Sequence, residues 1–117
     1  MKSKRVVLTG IGVFCSIGKN IEEFCQSLKD GQTGIGQVTL FDTSKYPCKI
    51  GAEIKDYPPE KFFDKKELRK ISRADQFALI ASEEAVKTSG INSYSSEEVG
   101  VCLGGTIIKK NDPPDTP

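Results

Sequence analysis

The run Val6-Val7-Leu8-Thr9-Gly10-Ile11-Gly12-Val13-Phe14 constrains this chain more than any other stretch. It is apolar, rich in β-branched residues, and interrupted only by glycines and a hydroxyl. A run without polar alternation suits a strand covered on both faces, as in the middle of a sheet flanked by helices. It is too short to cross a bilayer and starts beside Lys2, Lys4 and Arg5. It does not read as a signal peptide either, because no small-residue cleavage site follows and Gly18-Lys19-Asn20 opens a helix instead. Gly10 and Gly12 let the backbone turn out of a sheet there, or approach a neighbour closely.

The rest of the chain reads as cover for that strand. Asn20 is an N-cap, Glu23 completes a capping-box-like pair, and Ile21, Phe24, Cys25 and Leu28 follow at helical spacing. Lys29 and Gly31 mark the end of this helix. From Gln32 to Glu60 there is little periodicity. Short pieces at 37–41 and 48–54 are candidates for extended chain, and so long a connection predicts an excursion that lies upon other protein. Asp64 with Glu67 predicts a short helix through Ile71, and Ser72 with Asp75 a longer one running to about Ser89 and closed by Gly90. Along that helix Ala74, Phe77, Ala78, Ala81 and Ala85 fall on one narrow face, which lets something large come close to its axis. Glu98–Leu103 is a second strand of the buried type. The order strand, helix, helix, strand predicts a right-handed crossover in a parallel α/β sheet. The closing stretch, IIKKNDPPDTP, loses all pattern and carries three prolines, so disorder is expected there.

At 117 residues the chain is one domain at most, and 17 basic against 16 acidic side chains leave a net charge of +1. That balance gives no whole-molecule attraction to nucleic acid or to a membrane surface. The four cysteines, Cys15, Cys25, Cys48 and Cys102, have no zinc-knuckle spacing. Their surroundings predict reduced thiols that act as small hydrophobes, and hence a cytosolic setting. Histidine is absent, which removes the usual proton carrier near neutral pH. Gly10-Ile11-Gly12 invites a dinucleotide-binding reading. The third position of that fingerprint is Cys15, however, and no acidic residue closes a second strand at the required distance. The residues taken alone contain no recognisable active site, metal centre or cofactor site.

One cluster stands out. Lys66, Arg69, Lys70 and Arg73 are spaced i, i+3, i+4 and i+7, with Lys65 beside them, so they share one side of a helix if it runs that far. Two readings stay open on the residues alone. One is a solvated face balanced by Glu60, Asp64 and Glu67. The other is a dock for an acidic partner, where charge chiefly raises the association rate.

Taken together, RVVLTGIGVFCSIG, then NIEEFCQSLKDGQTGIGQVTLFDTSKYP, then IGAEIKDYPPEKFFDKKELRKISRADQFALIASEEAVKTSGI resemble the β-ketoacyl-acyl carrier protein synthases. The likeness is strongest to the type II elongating enzymes of fatty acid synthesis and their polyketide relatives. It covers about residues 4–107, within a partial N-terminal region taken as 1–107, and leaves 108–117 as a divergent tail. That region amounts to roughly the N-terminal quarter of the family's catalytic unit.

The resemblance implies a thiolase-like α/β fold, of which this chain holds an incomplete first βαβαβ half. It also implies a cytoplasmic homodimer that needs no cofactor. The family's chemistry uses a cysteine nucleophile at a helix N-terminus and two histidines for decarboxylative condensation with malonyl-carrier protein. Neither the cysteine nor the histidines match a position of this sequence, so no catalytic residue is assigned and the 117-residue chain is expected to be inactive by itself. What the resemblance carries over is a carrier-protein dock, with Lys66, Arg69 and Lys70 on the basic positions of the DKKELRK segment. A non-catalytic carrier-protein-binding module and a truncated remnant are the alternatives.

Overall fold

A computed structural model describes residues 4–105. The expected tail at 108–117 lies outside the described residues. In order, the chain forms helix α1 (Ile21–Lys29), strand β1 (Ile35–Gln37), strand β2 (Ile50–Ala52), a short helix α2 (Lys65–Leu68) and a long helix α3 (Arg73–Ser89). Single 3-10 turns stand at Pro59–Lys61, Ile91–Ser93 and Ser96–Glu98.

The helices start where their side chains can satisfy orphan amides. Asn20 Oδ1 accepts the Glu23 amide of α1 at 2.8 Å. The Glu23 carboxylate reaches one residue further back than a capping box requires and takes the Lys19 N–H at 2.8 Å. Asp64 and Glu67 close a full reciprocal box at α2, and Ser72 and Asp75 do the same at α3. Gly31 and Gly90 leave α1 and α3 in the left-handed conformation, at φ 65° and 70°.

β1 and β2 pair antiparallel, with Ile35 opposite Ala52, Gly36 opposite Gly51 and Gln37 opposite Ile50. Part of the long connection is therefore a hairpin. The Glu53 carboxylate extends its grip beyond the ladder by accepting the Thr39 and Leu40 amides, each at 2.8 Å. Phe41 and Tyr46 meet edge to face at 6.0 Å within the loop between the strands.

Two expectations need correction. The runs at 5–14 and 98–103 join no ladder among the described residues, so the crossover in a parallel sheet is not formed here. The physical reason is a lack of neighbours, since a parallel strand of this kind needs others beside it and helices on both faces. Its side chains stand in solvent instead, with Val6 92%, Leu8 88% and Val101 85% exposed. The cysteines also differ from expectation. All four are free thiols, but only Cys15 is half-buried, while Cys25, Cys48 and Cys102 are exposed.

The packing that does exist centres on α3. Gly10 and Gly12 lie directly against it: a Cβ on Gly10 would strike the Ala85 carbonyl oxygen, and one on Gly12 the Ala81 carbonyl oxygen. The two glycines therefore serve close strand-to-helix contact rather than phosphate binding, and the alanine face admits the backbone that its flatness predicts. Beside this contact Phe14 stacks on Phe77 at 5.1 Å, with Tyr57 and Phe62 edge-on to Phe14 at 5.5 and 6.2 Å. No apolar side chain among the described residues is fully buried. The fold is one side of a core.

Candidate functional site

The basic residues sit on α2 and the turn that leaves it. α2 is four residues long and ends at Leu68, earlier than the expected Ile71. The stop is built into the next element: Ser72 adopts an extended conformation (φ −75°, ψ 166°) to cap α3. Lys70 and Ile71 finish in a turn, their amides donating to the Glu67 carbonyl at 2.8 and 3.2 Å. Half-buried Leu68 and Ile71 anchor this turn, and Lys65, Lys66, Arg69 and Lys70 are exposed around it.

Arg73 does not join them. Its guanidinium donates to the Ile54 carbonyl at 2.8 Å and lies over the Tyr57 and Phe77 rings, 5.3 and 5.1 Å from their centroids. The structure thus keeps Lys66, Arg69 and Lys70 in one turn and assigns Arg73 to the aromatic cluster, where it holds residues 54–57 to α3.

Two of the carboxylates expected to balance this cluster, Asp64 and Glu67, cap α2. Asp64 Oδ1 accepts the Lys66 and Glu67 amides, both at 2.7 Å, and Glu67 Oε2 accepts the Asp64 amide at 2.9 Å. The ion pairs Lys87–Glu83 and Lys55–Glu53 lie outside the cluster. The turn thus presents Lys65, Lys66, Arg69 and Lys70 around Asp64 and Glu67, whose carboxylates are held by backbone amides. Such a surface attracts an acidic partner and binds it more weakly as salt rises.

The neighbouring polar groups have structural duties. Gln76, 8% exposed, accepts the Tyr57 hydroxyl at 2.8 Å. Burial pushes the Tyr57 phenol above its ordinary range. The nearby Arg73 charge opposes this and Glu60 adds to it. No group of three or more metal-binding side chains occurs among the described residues, and none of their helices is long and apolar enough to cross a membrane.

Sequence reasoning missed Glu84. Its two oxygens accept the Val13 amide at 2.9 Å and the Ile21 amide at 2.8 Å, joining the end of the first apolar run and the start of α1 to α3. A signal was available, because Glu84 falls at i+7 from Phe77 and i+3 from Ala81, on the face that otherwise carries small or apolar residues.

Comparison with known proteins agrees with this architecture. The family described as β-ketoacyl synthase, N-terminal domain, matches residues 3–115. A 3-oxoacyl-[acyl-carrier-protein] synthase 2 of Synechocystis is 38% identical over 92% of this chain and 26% of its own length. The Coxiella burnetii protein of the same name is 37% identical over 95% of this chain and 28% of its own. The solved ishigamide ketosynthase/chain length factor superposes with a TM-score of 0.62 at 33% identity, over 80% of this chain and 23% of that one. The chain spans about a quarter of the length of the relatives it matches. With a family match over nearly its whole length and relatives of this identity, the chain belongs to the β-ketoacyl synthase family.

Proposed function

We propose that this chain supplies the N-terminal scaffold of a 3-oxoacyl-acyl carrier protein synthase of fatty acid synthesis, and that Lys66, Arg69 and Lys70 receive the carrier protein. The likeness to synthases named for that substrate, over more than nine-tenths of the chain, carries the first part. The three exposed cations gathered on one short turn support the second. In such an enzyme a cysteine thiolate takes the acyl group from the carrier thioester. Loss of carbon dioxide from the malonyl group then drives carbon–carbon bond formation. No residue of this chain is assigned to those steps. Its contribution is to hold the first apolar run, the helix α3 against which Gly10 and Gly12 lie, and the landing turn in fixed relation. A cytoplasmic setting and a homodimer belong to the same proposal.

Binding and turnover test the two parts separately. Reversing charge with Lys66→Glu, Arg69→Glu and Lys70→Glu together should weaken capture of carrier protein at least tenfold at low salt. Unchanged affinity would remove this turn from the docking role. The purified chain should release no ketoacyl product from acyl- and malonyl-carrier protein, and product formation would overturn the scaffold reading. The docking turn is complete without any catalytic group, which favours one further reading, a non-catalytic carrier-binding module. Tight carrier binding by the chain alone, without turnover, is the outcome that supports it.

A further inference from the structure

We infer that Glu84 is an anionic clip: one carboxylate that closes the loop between the first apolar run and α1, and that no neutral isostere can replace. Val13 N and Ile21 N stand at the two ends of this loop, and both donate to Glu84, at 2.9 and 2.8 Å, one to each oxygen. Within the loop Cys15 and Gly18 exchange backbone bonds, one short at 2.8 Å and one long at 3.4 Å. A Cβ on Gly18 would collide with the Phe24 backbone, and one on Gly34 with the Ser16 hydroxyl. The loop is therefore pressed from two sides and tied at its base.

Both of Glu84's partners are donors, which decides the chemistry. An ionised carboxylate is acceptor-only and offers lone pairs from both oxygens. A glutamine amide offers one oxygen and turns donors towards the other N–H. Charge-assisted bonds of this kind are also stronger than neutral ones, and an anion at the first amide of α1 lies at the positive end of its dipole. Because both ends hang on one carboxylate, any movement of Glu84 away from the loop releases both amides at once. The clip holds the exit of the strand to the helix whose N-terminal cap also ends the basic turn.

Amide hydrogen exchange on the whole chain tests this. In the unmodified protein the Val13 and Ile21 amides should be protected to the same degree, within about threefold. A tenfold difference between them, or no protection at either, overturns the clip. Glu84→Ala should speed exchange of both amides at least tenfold, and Glu84→Gln should speed at least one of them tenfold. The Leu40 amide, held by Glu53, should be unchanged. Full retention of both amides in Glu84→Gln would show that the charge and second acceptor are dispensable and defeat the inference. If Glu84→Ala also strips protection from Leu40, the global loss is set aside and the comparison within the unmodified chain decides.

Discussion

Glu53 gathers three donors onto one carboxylate: the Thr39 and Leu40 amides at 2.8 Å and the Thr39 hydroxyl at 2.9 Å. The Leu40 amide is the largest cause of a lowered pKa, with the Thr39 groups and Lys55 helping and desolvation opposing. A depressed carboxylate contributes stability at pH above its unfolded value of 4.5 and loses it as pH falls through the folded value. The Leu40 and Thr39 amide shifts should therefore titrate together with a midpoint below 4.5, and a midpoint above it would contradict this geometry. At this scale the sequence was legible where a residue acts on its own neighbours. Asn20, Asp64, Glu67, Ser72 and Asp75 cap as their spacing demands. Glu53 and Glu84 were not legible as ties, because their partners lie on other elements and nothing in local spacing names them.

At the level of elements, α3 organises what packing there is. Its Ala81 and Ala85 backbone fills the space that side chains at Gly12 and Gly10 would need. Gly12→Ala should push the first apolar run off the helix and cost about 1–3 kcal/mol, the usual range for overpacking. Urea unfolding followed by helical circular dichroism would read this as a lower midpoint, and an unshifted midpoint would mean the contact contributes nothing. The end of α2 shows how one element limits another. The i, i+3, i+4, i+7 spacing of its cations is real, but Ser72 must be extended to cap α3, so the helix stops before Arg73. Arg73 then turns to the Tyr57 and Phe77 rings. Periodicity could not foresee this, since both readings of Arg73 satisfy it equally.

For the whole molecule, the decisive fact is apolar strand left without cover. Val6, Val7, Leu8, Val101 and Leu103 are all exposed, and no described apolar residue is fully buried. Each such side chain forgoes roughly 1.5–3 kcal/mol that burial would supply. The isolated chain should accordingly bind an apolar dye strongly and unfold over a broad temperature range. A sharp cooperative transition without dye binding would show that it completes its own core. The sequence by itself determined where the helices start, where α1 and α3 end, the closeness of Gly10 and Gly12 to a neighbour and the family to which the chain belongs. These follow from groups a few residues apart, whose geometry the backbone already dictates. Only the tertiary structure decided that those runs stand unpaired here, that Arg73 leaves the basic turn, and that Glu84 ties Val13 and Ile21 to α3. Those outcomes depend on which distant segments meet, and strand pairing, ring stacking and shared acceptors arise only once they do.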